Sequence, residues 1–559
     1  MESLVQIPPE PLDGLLRTQR REQAAEQDSE QQVNEKYGLE RDAEGSNEAV
    51  CVDKSSSEHC KGDTEGQELA NFNEEEDYVS SYLPITCYSI LIALGGLVFG
   101  YDIGTIGGLV DLPALSARFG DSVQTGPATF SPIVKGALVS VSCLGGFVSG
   151  GVAAKLIPVI GMRCTIFVSM LLYALGNTVI LLAPSWEVIL VARVFNGVCI
   201  GLTTITCPMY ISEITPIRER GLFTSLNQLF TTVGIVIGAL SILFSATRYY
   251  PDDISQYQYP LLQGILLSAI GGVAIWLVPE SPDWLVKRSK PISKVKKSLG
   301  KLRSLPFDDE CIINATAKLF DYNFQMNNIH HLDSKNSTSI LKGRPKYFQR
   351  TLTGVVLLAF QQFTGINYFF FYGITIFENV ELKTPYLVPV IFGVVNLIFS
   401  GLSVYVISLF DRKVLLIFGS VSLTLLMAAF TAVGTFCEVN FHVTILLIVL
   451  SCLFIAVFSM TWGPIAAVVI SELYPPRIKV KAMSVCGSSS WIFSFTIALV
   501  IPTLTSKIGF ALGGVFALFT FLSIFFVHYL VPETKNVSST RLDRSYETNP
   551  SRFGVVLQK

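Results

Sequence analysis

From residue 85 to residue 531 the chain alternates long apolar runs with short polar connections. Each run is about 20 residues, the length an α-helix needs to cross ~30 Å of hydrocarbon. Twelve such runs are predicted, near 85–110, 134–157, 163–183, 186–208, 222–244, 261–279, 349–373, 385–408, 413–436, 443–470, 480–503 and 508–531. The expected fold class is therefore an all-α polytopic membrane protein of about twelve transmembrane helices. Residues 1–80 lack this pattern. They are rich in Glu, Gln, Ser and Asp, bury too little apolar surface to fold alone, and are expected to be disordered.

Composition agrees with a membrane protein. Half of the 559 residues are hydrophobic, and 15% are charged against about 25% in soluble domains. The net charge of −3 conceals an asymmetry. Residues 1–80 hold 21 acidic and 7 basic residues, and the remainder is basic. Lys287, Arg288, Lys290, Lys294, Lys296, Lys297, Lys301 and Arg303 crowd the longest connection, about 280–348. The connections after spans two, four, eight and ten are basic as well. The positive-inside rule then places both termini and the long connection in the cytosol. The sequons at Asn314, Asn336 and Asn536 fall on that side and are expected to carry no glycan. The start of the chain has no early apolar stretch of the kind a signal peptide needs, so the first span is expected to direct insertion.

Several function classes are excluded by the same reading. No basic face interleaved with aromatics points to nucleic acid. Ser, His and Cys are not grouped with catalytic partners and no phosphate loop is present, so an enzyme is not expected. His330 and His331 lie in the long connection and read as solvated. The eleven cysteines are scattered without a CxxC pair, and most lie in apolar runs, so no metal and no cofactor are expected.

One internal repeat is legible. ISEITPIRER (211–220) and ISELYPPRIK (470–479) share Ile-Ser-Glu, a Pro three residues after the Glu and a basic residue seven after it. They follow spans four and ten, where two six-helix halves place equivalent loops. The expected organisation is an acidic cytosolic tail (1–80), a first six-helix half (81–280), a cytosolic linker with intracellular helices (281–348), a second six-helix half (349–531) and a cytosolic C-terminal tail (532–559).

Six segments resemble the sugar porters of the major facilitator superfamily. GGLVFGYDIGTIGG (95–108) is similar to their first helix, and ARVFNGVCIGLTTITCPMYISEITPIRERG (192–221) to their fourth. PESPDWL (279–285), QQFTGIN (361–367), WGPIAAVVISELYP (462–475) and VPETK (531–535) resemble the motifs of helices six, seven, ten and twelve. The set covers about 85–536 in order and is specific only as a set.

The resemblance implies a major facilitator fold and a secondary transporter that moves a monosaccharide, most simply a hexose, by alternating access, as a facilitator or a proton symporter. A sugar presents hydroxyls and a weakly apolar face, and neutral amides both donate to and accept from hydroxyls. Gln228, Gln361, Gln362, Asn367, Asn396 and Trp491 match the family's substrate contacts. On an ideal helix Gln361, Gln362 and Asn367 point about 100–140° apart, so a break near Gly365 is needed to gather them. Interhelical hydrogen bonding is the alternative use of these amides. Asp102 and Arg193 match the family's proton-coupling pair; a static buried ion pair is the alternative. Glu213, Arg220, Glu472 and Lys479 match its cytosolic gating network, against loosely held surface pairs.

The chain also departs from the family. Ala467 replaces the helix-ten Trp, Phe371 the helix-seven Tyr, and Ile235 a second helix-five amide. Pro158 and Val159 stand where the loop 2–3 motif has Asp and Arg, and loop 8–9 keeps only Asp411 and Arg412. These changes predict a less polar, roomier pocket and altered gating. Two alternatives to hexose transport are a non-transporting sugar sensor and a carrier for another small polyol. The expected partners are the sugar, with protons in the symport case, and the lipid bilayer. A monomer is expected, in the plasma membrane or a vacuolar or endosomal membrane.

Overall fold

The computed structural model describes residues 81–120, 129–216, 219–251, 253–332, 346–377, 385–438, 440–474, 476–535, 537 and 539–548. The tail expected to be disordered, residues 1–80, lies outside the described residues, as do His330-His331's side chains and the sequons at Asn336 and Asn536.

Among the described residues, eleven stretches are long and apolar enough to cross a bilayer. The last, Lys481–Leu530, has 50 residues. At 1.5 Å per residue it is more than twice a bilayer's core. A 3-10 turn, Gly509–Ala511, divides it into two helices. The twelve spans are α1 (Leu83–Val110), α2 (Pro132–Ile160), α3 (Met162–Leu182), α4 (Trp186–Ile214), α5 (Arg220–Arg248), α6 (Ser255–Ala274), α7 (Tyr347–Phe363 and Ile366–Phe377), α8 (Leu387–Leu409), α9 (Arg412–Phe436), α10 (Phe441–Met460 and Trp462–Leu473), α11 (Pro476–Ile508) and α12 (Leu512–Leu530).

These helices are apolar nearly all round, so the hydrophobic pattern says little about which faces meet. Small residues decide it, as expected where lipid is as apolar as Leu. Gly100 of α1 lies against the Thr231 carbonyl of α5, and Gly234 of α5 against the Leu97 carbonyl of α1. Helices α1–α6 form one half and α7–α12 the other, with α3 on α6 repeating as α9 on α12. The halves meet along α2 with α11, α5 with α8 and α1 with α7. Between the halves run three helices, Pro282–Lys287, Ile292–Arg303 and the longer Glu310–Leu332.

Two spans are broken. In α7 the chain turns at Thr364–Gly365, and Gly365 has φ +90°. A side chain there is strained, and its Cβ would also lie 2.7 Å from Cγ of Phe516. Within the second piece Tyr372 departs again from helical geometry, with φ −126° and ψ 17°. In α10 the break falls at Thr461, φ −119° and ψ −88°. The reading of an uninterrupted tenth span over 443–470 missed it. The polar C-terminal tail also contains a helix, Ser539–Thr548, whose Leu542 and Tyr546 are buried.

Candidate functional site

The break in α7 gathers the amides. Gln361, the third residue before it, donates from Nε2 to the carbonyls of Trp462 (2.9 Å) and Gly463 (3.0 Å), beside the break in α10. Asn367, just after the α7 break, donates from Nδ2 to Gln362 Oε1 (3.0 Å) and to Ser494 Oγ of α11 (3.2 Å). The same Ser494 hydroxyl accepts the Cys143 thiol of α2 at 3.5 Å, which carries the chain of bonds into the other half. Each amide thus uses one end to tie broken helices together. Gln361 Oε1, Gln362 Nε2 and Asn367 Oδ1 take part in none of these bonds and are chemically suited to hydroxyl groups.

The remaining candidates are less closely grouped. Asn396 of α8 is buried, and its Oδ1 accepts from Ser459 of α10 (2.7 Å) and from Ser400 (3.2 Å). Gln228 of α5 is exposed and does not join this set of bonds. Trp491 stands one turn before Ser494 on α11, edge-to-face with Phe99 of α1, ring centroids 6.0 Å apart. It lies flat on Gly146 of α2, where an added Cβ would come within 2.6 Å of its ring. The indole therefore sits at the seam of the halves. Where the family's second Trp is replaced, Ala467 is exposed; Phe371 and Ile235 are buried apolar contacts of α1. Tyr372 donates to the Ala498 carbonyl of α11 at 2.6 Å, so it does not stand in for the missing Tyr. Trp462 is fully buried, its Nε1 on Ser420 at 3.0 Å, a packing role within the second half.

Asp102 and Arg193 meet inside the first half. Arg193 Nη1 lies 2.6 Å from Asp102 Oδ1, and both side chains are about 95% buried. Tyr173 donates to the same carboxylate oxygen at 3.3 Å, and Arg193 Nη2 donates to Ser142 at 3.1 Å. A buried pair is tolerable in hydrocarbon only with such further bonds. Ser142 neighbours Cys143, so α2 touches both the ion pair and the amide cluster through adjacent residues.

At the loop end the two halves carry the same device. Glu280 accepts the N–H groups of Met162 (3.2 Å) and Arg163 (3.4 Å), capping α3, while Ser281 donates to Glu213 at the end of α4. In the other half Glu533 accepts the N–H groups of Arg412 (3.1 Å) and Lys413 (2.9 Å), capping α9, while Thr534 donates to Glu472 at 2.6 Å. Pro279-Glu280-Ser281 and Pro532-Glu533-Thr534 are therefore a second internal repeat, readable from the sequence once the first is known. Carboxylates at helix N-termini satisfy otherwise unpaired N–H groups.

This device also holds the degraded loop 2–3. Trp284 Nε1 donates to the carbonyls of Ile157 (3.0 Å) and Pro158 (3.2 Å), and Arg288 to that of Val159 (2.9 Å). Burial above all pushes the Glu280 carboxyl above its usual range, against the lowering effect of the N–H groups it accepts. Of the gating candidates, Glu472 pairs with Arg412 at 3.3 Å, a bond within one half. Lys479 lies close to Arg220 of the other half. Burial lowers its amine below the ordinary range, Arg220 lowers it further, and Glu472 opposes them.

The sugar (and other) transporter family matches residues 88–546. The hexose transporter HXT14 of Saccharomyces cerevisiae is 31% identical over 485 residues, covering 84% of this chain and 89% of that protein. The low-affinity glucose transporter HXT1 of the same yeast is 32% identical over 486 residues, 83% of this chain and 82% of that protein. The inward-open xylose transporter XylE of E. coli superposes with a TM-score of 0.67 at 21% identity, over 82% of this chain and 99% of that one. Its partially occluded inward-open form gives 0.68 at 23% identity, over 82% and 100%. This likeness shows a shared fold.

Proposed function

The chain belongs to the sugar (and other) transporter family, a family of carriers rather than enzymes, and from that premise we propose that it moves a monosaccharide, a hexose first, by alternating access of its two halves. The observation that carries this reading is the set of amides gathered at the break in α7, Gln361, Gln362 and Asn367, set against Ser494 and Trp491 at the seam. The sugar's hydroxyls take the free ends of the amides, and Asn396 and Gln228 complete the contacts as the halves rock. The curated relatives named as hexose and glucose transporters favour a hexose over another polyol.

Asp102 takes up and releases the proton in a symport cycle, with Arg193 as its ion-pair partner. Glu213, Arg220, Glu472 and Lys479 govern opening at the loop end. There the Arg220 and Lys479 charges repel across the halves and Glu472 offsets that repulsion at the Lys479 amine, so the acid is the group that lets the two cations approach. The basic loops put that end, and both termini, in the cytosol of the cell. The 1–80, 281–348 and 532–559 segments then share one side, in the plasma membrane or a vacuolar or endosomal membrane, and the carrier works as a monomer.

The test is uptake of labelled hexoses, pentoses and polyols into liposomes, with and without an inward proton gradient, for the whole chain and for Asp102→Asn. Hexose uptake that the gradient accelerates, and that Asp102→Asn leaves indifferent to it, is the result expected of a symporter. Uptake indifferent to the gradient from the start identifies a facilitator. No uptake of any compound in the panel by folded protein sinks the carrier reading.

A further inference from the structure

At the end of the bundle opposite the long connection, a buried ion pair is tied across the halves. Asp111 closes α1 and Lys135 lies in the first turn of α2, both in the first half; they form a salt bridge, and their side chains are only 6% and 17% exposed. Thr375, in the second piece of α7, completes a ring with them. Lys135 Nζ donates to Thr375 Oγ1 at 2.8 Å, and Thr375 Oγ1 donates to Asp111 Oδ2 at 3.0 Å. Tyr386, just before α8, adds a fourth contact by donating to the Asp111 carbonyl at 3.1 Å. Gly107, one turn earlier in α1, lies against the backbone carbonyl of Phe371, so the helices touch here without intervening side chains.

We propose that Asp111, Lys135 and Thr375 form the latch that closes this end of the carrier by holding the second piece of α7 against α1 and α2. Both ends of the ion pair are spent on one hydroxyl of the other half. Any movement that swings the second piece of α7 away must break both bonds at once and leave a buried charge pair to be resolvated. That piece is jointed at Gly365 and again at Tyr372, so it can move without the first piece. Charge-assisted bonds are about twice as strong as neutral ones, and their loss from one state alone shifts the balance of states by about tenfold or more. The latch rests on the alternating-access reading but not on the identity of the cargo.

The experiment reads conformation in the whole chain without substrate. Spin labels go on Tyr250→Cys, 83% exposed after α5, and on the native Cys437, exposed after α9, with Cys51, Cys60, Cys87 and Cys311 replaced by Ser. Thr375→Val keeps the ion pair and removes only its inter-half bonds. The expected result is a second, longer distance population that rises about tenfold over the parent, with Thr375→Ser restoring the parent distribution. Asp111→Asn with Lys135→Met, which leaves no unpaired charge, gives the same lengthening. Unchanged distances in folded Thr375→Val and in the double variant overturn the latch, whether or not liposomes take up sugar. Failure of the parent chain to take up any sugar, with lengthened distances in the variants, leaves the latch standing and falls on the cargo reading instead.

Discussion

Asp102 and Arg193 have unequal freedom to survive alone. A carboxylate left without its partner can take up a proton and keep the bond from Tyr173; a guanidinium cannot shed its charge. Arg193 Nε already lacks a hydrogen-bond partner, so the side chain depends on Asp102 and Ser142. Asp102→Asn should therefore destabilise more than Arg193→Met, by about 3–5 kcal/mol against about half that. Thermal unfolding of the two variants in the same detergent checks the order; equal midpoints would mean that Arg193 finds other partners. Gly365 allows a second residue-scale prediction. Its φ of +90° and the nearby Phe516 ring make Gly365→Ala costly on two counts, by about 2–4 kcal/mol together. A melting temperature within a degree or two of the parent would show that the joint relaxes freely. The amide pattern at 361–367 was legible as polar groups at a break, but their partners were not. Ser494 and Cys143 are ordinary residues in apolar runs, and only the packing of α2 on α11 brings them to Asn367.

At the scale of elements, what could be read followed from hydropathy. Spans of about 20 apolar residues are unambiguous, and the division of Lys481–Leu530 falls between the two runs expected at 480–503 and 508–531. The break in α10 was missed although Gly463 and Pro464 lie two and three residues after it, because the hydropathy of the run is uninterrupted. The helix Ser539–Thr548 was missed for the opposite reason. It is polar, with Leu542 and Tyr546 four residues apart as its only apolar stripe. Its anchor is Tyr546, whose ring lies 4.3 Å from the guanidinium carbon of the fully buried Arg350 in α7. Burial pushes the Tyr546 phenol up to about 12, so the ring stays neutral at any physiological pH. Tyr546→Ala should cost about 1–2 kcal/mol and release the helix to proteases, while Tyr546→Phe should keep both stability and protection. Identical digestion of all three proteins would show that the helix is held by something other than this ring.

The whole molecule works as two bodies only if each half stays rigid while the seam rearranges. The paired clamps at the loop end supply that rigidity. Glu280 and Ser281 hold α3 and α4 together, and Glu533 and Thr534 hold α9 and α10, in each case by bonds that stay within one half. The latch at the opposite end, by contrast, crosses the seam. It escaped the sequence because Asp111 and Lys135 end different spans and Thr375 lies in the other half. Clamps inside a half and latches across the seam should respond differently to mutation. Glu280→Gln and Glu533→Gln each remove a charged cap, worth about 0.5–2 kcal/mol, and share no partner. Their effects on unfolding should therefore add within about 0.5 kcal/mol in the double variant. Neither should alter the distance between labels at Tyr250→Cys and Cys437, since neither changes a bond across the seam. A double variant markedly less stable than the sum would mean that the halves unfold as one body, and the clamps would then have to be read as part of the rocking interface.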